Sequence, residues 1–270
     1  MKLTLIISTY NSPQALRWVL HSALCQSETP HEVIIADDGS AAATGRLIEQ
    51  MRPLFRCPLH HVWHPDEGFR KTVILNKAIR ECCTGDYLVF VDGDIVMHRH
   101  FIKNHHALAR QGRYVVGSRT FVSQAQTAKL FEQLYRPLSW TSHGLKNRTN
   151  ALYMPWLSPL TRLYKRWKPL YGRGANFACW KADFVRVNGH DEAMLGWGLE
   201  DTDLINRLRN NGVRATAAKF QAIAFHLWHR QSPPNRENER LFRSMMHRRQ
   251  CEHGLANATQ TPQEQHHNAL

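Results

Sequence analysis

Asp92 and Asp94, separated by one glycine, close the run Tyr87-Leu88-Val89-Phe90-Val91-Asp92-Gly93-Asp94. Two carboxylates that near repel each other unless a cation, a proton or an Arg/Lys partner relieves them, and a divalent metal leads that list. Gly93 is expected to let the backbone turn sharply and bring both acids to one point. The plainer reading is a turn that happens to carry two aspartates, so the rest of the chain has to decide. Asp37-Asp38-Gly39-Ser40 follows a second apolar run. An Asp there can accept hydrogen bonds from ribose hydroxyls or a base N–H, or simply cap a turn and a helix. Arg70 and Lys71, at a loop-to-helix junction, suit a diphosphate or a base edge, or else a solvated helix face. Gly196-Trp197-Gly198-Leu199-Glu200-Asp201-Thr202-Asp203 places three acids in a first helical turn beside a Trp held between two glycines. A helix dipole asks for fewer acids than that. His226 and His229 stand out among 17 histidines only because they share a strand end.

The elements that must hold these residues are legible from hydrophobic period. Lys2 to Ser8 reads as a strand, Thr9-Tyr10-Asn11-Ser12-Pro13 as a loop, and Ser-Pro as the opening of a helix reaching about Leu24. Val33 to Ala36, His60 to Trp63, Tyr87 to Val91 and Tyr114 to Gly117 read as further strands, with helices after Phe69 and from about His100 to Ala109. Such alternation makes a parallel sheet whose ligands sit beyond the strands' carboxyl ends. The first turn lacks Gly-x-Gly-x-x-Gly, which weighs against a nicotinamide or flavin enzyme. Later strands are expected at Gly174 to Trp180, Val213 to Ala217 and Ala222 to Phe225, and a polar helix from about Asn235 to Cys251.

Between Ser123 and Gly172 the pattern changes. Trp140, Trp156, Trp167, Tyr135, Tyr153, Tyr164 and Tyr171 interleave with Arg136, Lys146, Arg148, Arg162, Lys165, Arg166 and Lys168. Such a stretch can hold a sugar, stack bases, lie at a membrane interface or pack its own aromatics.

The 270 residues, 43% hydrophobic and 21% charged, suffice for one large domain or two intimately packed ones. A net charge of +13 favours anionic partners: nucleotide phosphate, nucleic acid or an anionic membrane surface. No apolar run reaches membrane-spanning length and no signal peptide is legible, so a cytoplasmic location is expected, with peripheral attachment to the inner face of the membrane as an extension. Six scattered cysteines, none in a Cys-x-x-Cys pair, indicate neither a zinc knuckle nor a disulfide scaffold.

Taken in order, Ser8-Thr9-Tyr10-Asn11, Asp37-Asp38-Gly39-Ser40, Val91-Asp92-Gly93-Asp94 and the Gly196–Asp203 segment resemble the inverting GT-A glycosyltransferases of family 2. The last segment is similar to the acceptor motif of β-1,4-galactosyltransferases and bacterial chondroitin-type polymerases. The resemblance runs from residue 2 to about residue 240 and implies an α/β, Rossmann-like, mostly parallel central sheet flanked by helices, with a smaller acceptor-side subdomain. It implies a nucleotide-sugar-binding half (1–118), an acceptor-binding and catalytic half of the same domain (119–251), and a disordered tail (252–270). It further implies that Thr9, Tyr10, Asn11, Asp37, Asp38, Arg70 and Asp92 serve the donor, that Trp197 and Glu200 bind the acceptor, and that Asp201 is the catalytic base. Asp94, His229 and His226 would hold the metal, Mn²⁺ suiting a mixed oxygen–imidazole set better than the alternative Mg²⁺. The implied reaction moves a sugar, with a UDP-sugar as first choice, to a saccharide or glycolipid acceptor in bacterial surface polysaccharide or lipopolysaccharide synthesis.

Two rival classes remain to be separated. A haloacid-dehalogenase-type phosphatase also wants an apolar strand ending in Asp-x-Asp, but on the first strand of its sheet, whereas about three βα units precede Asp92. A basic nucleic-acid-binding protein would use the charge, yet has no need of carboxylates at three element ends, so no nucleic acid is expected as a partner.

Overall fold

A computed structural model describes residues 1–158, 174–230 and 233–256. The amino-terminal part builds β1 (Leu3–Thr9), α1 (Pro13–Leu24), β2 (Glu32–Asp37), α2 (Ala42–Met51), β3 (Leu59–Trp63), α3 (Lys71–Cys82) and β4 (Tyr87–Asp92). After it come β5 (Ile95–Met97), α4 (Phe101–Leu108), β6 (Arg113–Val116), β7 (Arg119–Val122), α5 (Gln124–Phe131) and β8 (Leu145–Lys146). The described carboxyl-terminal part adds β9 (Phe177–Trp180), α6 (Lys181–Arg186), α7 (Glu200–Asn210), β10 (Arg214–Ala217), β11 (Ala224–His226) and α8 (Arg236–Ser244).

Seven of these strands form the main sheet in the order β10-β6-β9-β4-β1-β2-β3, parallel except for β9, which runs antiparallel to both neighbours. Side chains alternate between two buried layers: Leu5 and Ile7 of β1 pack with Leu16, Leu20 and Ile48 of α1 and α2, while Ile6 packs with Ile74, Leu75 and Leu208 of α3 and α7. A strand with a core on each face must be apolar throughout, which is why these runs read so clearly in the sequence. Parallel register then aligns the strand ends: Ser8 lies opposite Asp92, and Thr9 opposite Asp37. Chemistry-bearing residues of three strands therefore meet at one edge.

A second, four-stranded sheet, β5-β11-β7-β8, was not foreseen. Its strands are two to four residues long, too short for a period to show. The antiparallel pairing of β11 with β5 sets His226 opposite Ile95, one residue beyond Asp94, and the Leu227 N–H donates to the Asp94 carbonyl at 2.9 Å.

Three expectations need correction. The strand expected from Gly174 begins at Phe177, because Gly174–Asn176 forms a 3₁₀ turn fixed by the Asn176 side chain, which donates to the Ser118 and Ala222 carbonyls. The last helix ends at Ser244 instead of Cys251. Asn206 and Asn210 of α7, and Asn211 that caps it, donate to the Met246, Arg248 and Arg249 carbonyls and hold this segment against α7 as turn. The tail is not loose from Glu252: the Leu255 N–H donates to the Asn188 carbonyl, and the His253 carbonyl accepts from Glu192. Residues 257–270 lie outside the described residues. In the basic-aromatic stretch, Tyr135 packs on Trp18 and His21 and Tyr153 stacks on His98, whereas Trp140 and Trp156 are exposed. Arg162, Tyr164, Lys165, Arg166, Trp167, Lys168 and Tyr171 lie outside the described residues.

Candidate active site

The Asp-Gly-Asp pair does not converge on one point. Gly93 is needed for a different reason from the one expected: its N–H donates to the Ser8 carbonyl at 2.6 Å, and a Cβ would stand 2.9 Å from that oxygen. The two carboxylates leave this junction toward separate partners.

Asp94 faces the histidines. Its Oδ2 lies 3.1 Å from Nε2 of His229 and 3.5 Å from Nε2 of His226, and the three ligand atoms lie within 4.8 Å of one another. Oδ1 of Asp94 is buried without a hydrogen-bond partner among the described residues. The hydrogen bond it donates to Asp94 pushes the His229 imidazole up to about 9, while burial holds His226 below its usual value despite the same carboxylate. One carboxylate with an unpartnered oxygen and two imidazoles aimed at it form a donor set that a divalent cation fits. A cleft of 380 Å³, lined by Phe121, Ser123, Lys146, Trp228, Arg230 and both histidines, opens beside it.

Asp92 faces a lysine. Nζ of Lys71 donates to Asp92 Oδ1 at 2.9 Å and lies 3.6 Å from Asp201 Oδ2 and 3.9 Å from Glu200 Oε1. Burial opposes the ammonium charge, but Asp201, Asp92 and Glu200 outweigh it and raise the Lys71 pKa. Burial would raise Asp92 as well, yet the attraction of Lys71 holds it low. Glu200 is the odd acid: burial and the neighbouring Asp201 push it up to about 7, and its Oε2 accepts the Gly198 N–H at 2.9 Å. At 4% exposure Glu200 is turned inward, whereas the Asp201 side chain keeps 20%. The third acid of the motif, Asp203, is structural. It is buried with Arg207, which also donates to the Val187 and Gly189 carbonyls, and it lies 3.4 Å from Arg248, which pairs with Asp191 as well.

The loops after β1 and β2 knit together. The Asn11 N–H donates to Ser40 Oγ and its side-chain oxygen accepts from Ala41, so Asn11 ties the loops to each other. Asp37 accepts from the Ser40 N–H and meets His61 at 2.9 Å. Asp38 meets His64 at 2.7 Å and accepts the Arg70 N–H at 2.8 Å. Tyr10 is half exposed and donates to Asp66. Oγ1 of Thr9 is buried and unpartnered among the described residues. The Arg70 guanidinium pairs with Glu67 and donates to the Pro65 carbonyl, so it is occupied within its own loop. Trp197 is exposed, and its carbonyl accepts the Asn235 N–H.

Lys71, Gly174, His61 and His64 complete these clusters; of these the sequence marks only Lys71, for a diphosphate, a base edge or a solvated helix face and not as the partner of the acids. The Arg70-Lys71 pair was visible, but which of the two faces the acids depends on where α3 begins, one residue after Arg70. Gly174 donates to an acid 27 residues away, a contact that no local spacing encodes.

The family described as glycosyl transferase family 2 matches residues 4–167, and the N-terminal domain of galactosyltransferase matches residues 161–230, a span that includes the Gly196–Asp203 segment and both histidines. Similar curated proteins include validoxylamine A glucosyltransferase of Streptomyces hygroscopicus subsp. limoneus, 24% identical over 90% of this chain and 54% of that protein. Chondroitin synthase of Escherichia coli is 25% identical over 88% of this chain and 36% of that one. The chain thus spans about half or less of these relatives' length. Among solved structures, S. aureus TarS superposes with a TM-score of 0.59 at 17% identity, covering 84% of this chain and 37% of that one. A mannosyltransferase from Pyrobaculum calidifontis in complex with GDP-Man and Mn²⁺ gives 0.55 at 17%, covering 83% and 56%. Both share the GT-A fold seen here. By the match over residues 4–167, more than half of its length, the chain belongs to glycosyl transferase family 2.

Proposed function

We propose that this protein is an inverting, divalent-cation-supported glycosyltransferase that moves a sugar from a nucleoside-diphosphate sugar, UDP-linked by preference, to a hydroxyl of a saccharide or glycolipid. One observation carries the reading: the Asp94–His226–His229 set and the Asp92–Lys71–Asp201–Glu200 cluster diverge from a single Asp-Gly-Asp junction at the carboxyl edge of the sheet. A cation-and-diphosphate site and an acid–base site must be that close for sugar transfer. TarS is known in complex with UDP-GlcNAc, which supports a UDP-sugar as the first donor to try.

A cation held by Asp94, His226 and His229, with Mn²⁺ as first choice, would supply charge neutralisation for the departing diphosphate. The chain's own residues do the rest. Thr9, Tyr10 and Asp38 bound the nucleoside side of the crevice, with Asn11 and Asp37 holding the loops in place. Asp92 faces the sugar. Trp197 offers an exposed indole for a sugar face, and Glu200, turned inward, shapes the floor of the acceptor site. Asp201 takes the proton from the acceptor hydroxyl. The acceptor oxygen forms the new bond to the anomeric carbon as the bond to the diphosphate oxygen breaks, and the nucleoside diphosphate leaves with the electron pair. One base and no covalent intermediate give inversion. The part up to residue 118 serves the donor and residues 119–251 the acceptor and the catalysis.

The acceptor class points to surface polysaccharide or lipopolysaccharide synthesis. The net charge of +13 and the exposed Trp140 and Trp156 support peripheral contact with an anionic membrane, and no described helix is long and apolar enough to cross one. Thermal-shift screening of nucleotide sugars, with and without Mn²⁺, followed by assay of nucleoside-diphosphate release, tests the reading. A UDP-sugar should raise the melting temperature only with metal present, and no response to any nucleotide sugar contradicts it.

A further inference from the structure

We propose that Lys71 is the residue that positions Asp201 and couples it to the donor side of the site. The inference rests on the reading of Asp201 as the base.

Lys71 is the first residue of α3, and the turn leading into it is anchored from both directions. The Arg70 N–H donates to Asp38 on the nucleoside side, and the Phe69 carbonyl accepts the Gly196 N–H at 3.1 Å on the acceptor side. The side chain, 14% exposed, runs from this doubly anchored turn into the gap between Asp92 and Asp201. A cavity too small for a sugar, lined by Ser8, Lys71, Asp92, Gly174, His190 and Asp201, lies beside them.

On Asp201, Lys71 and the Gly174 N–H both meet Oδ2. On Asp92, Lys71 and the Ser8 hydroxyl both meet Oδ1. One ammonium therefore bridges an oxygen of the donor-side acid and an oxygen of the acceptor-side acid. A carboxylate free to rotate would present its oxygens in many orientations. One pinned at Oδ2 by a buried cation presents Oδ1 in one, which is how a supporting residue gains rate without touching the reacting atoms. Because Asp92 shares that cation, a shift of Asp92 on the sugar side moves the partner of Asp201. Glu200, 3.9 Å away, lies against the same cation from the acceptor-side floor.

A double-mutant cycle on the full chain tests this. Lys71→Met should lower kcat by roughly 10²-fold, the scale of a misplaced reacting group. In an Asp201→Asn background the same change should cost less than about threefold more, since there is no base left to position. Lys71→Arg, which keeps a cation, should recover at least about tenfold of the loss, with its melting temperature and that of Lys71→Met recorded to establish folding. Losses that multiply in the double variant, a Lys71→Met enzyme at the wild-type rate, or an Arg variant no better than Met each overturn the proposal. If Asp201→Asn alone transfers at the wild-type rate, the assignment of the base falls first, and the positioning role with it.

Discussion

Gly174 donates its backbone N–H to Oδ2 of Asp201 over 2.9 Å, and a Cβ at position 174 would collide with that carboxyl group. The contact fixes the acid from a turn 27 residues away, so Gly174→Ala should push Asp201 out of line while leaving the donor-side loops alone. Turnover is expected to fall by roughly 10- to 100-fold, with nucleotide-sugar affinity held within about threefold. Steady-state kinetics together with donor titration reads both quantities. An alanine variant with wild-type turnover shows that the close approach is incidental.

Under the proposed mechanism, removal of the cation is expected to stop transfer, because Asp94, His226 and His229 are the donor set assigned to neutralise the departing diphosphate. Excess chelator should abolish activity and added Mn²⁺ restore it. Asp94→Asn and His229→Ala should each weaken Mn²⁺ binding, measured by calorimetry, by about tenfold or more. Undiminished transfer in chelator would take the metal out of the account.

Buried neutral imidazoles make the fold acid-sensitive. Burial holds His105 down to about 4, with one ring nitrogen on Asn176 Oδ1 and the other unpartnered among the described residues. His190, buried against Phe90 and Phe184, is held well below its usual value for the same reason. The unfolded chain takes up these protons near the ordinary histidine value and the folded chain does not. The effect is therefore nil above about pH 6.5, and stability is lost as pH falls from there toward 4. His105 alone should withdraw on the order of 3 kcal/mol across that window. Urea unfolding at a series of pH values checks this, and His105→Asn should flatten the slope. A stability unchanged from pH 7 to 4.5 would show that these rings are hydrated.

The long strands were legible because a sheet with a core on each face imposes continuous apolar runs, and Leu5, Ile6 and Ile7 obey that constraint within seven residues. The candidate metal residues were legible for a related reason, since a strand end is marked by the polarity change at Asp94 and again at His226. Lys71 was visible as a basic residue at a helix start, but its pairing with the acids was not, and Gly174 was hidden, because both meanings lie in long-range contact: one depends on the rotation of α3, the other on a turn that meets an acid far along the chain. Asp203 misled in the other direction. Beside Glu200 and Asp201 it reads as chemistry, yet a buried Arg207 four residues on claims it for the core. Of the second sheet only β11 was legible, as the strand expected from Ala222 to Phe225; its partners β5, β7 and β8 were not, although the pairing of β11 with β5 is what sets His226 beside Asp94.

The division of labour between the two clusters is the centre of the account, and Asp201→Asn tests it most directly. The amide keeps the shape and the Gly174 contact while removing the basicity, so donor and Mn²⁺ affinities should stay near wild type while turnover falls by about 10² to 10⁴. Asp94→Asn, measured beside it, should instead lose metal-supported donor binding. An Asp201→Asn enzyme that transfers sugar near the wild-type rate, or that loses donor binding as severely as Asp94→Asn, contradicts the account.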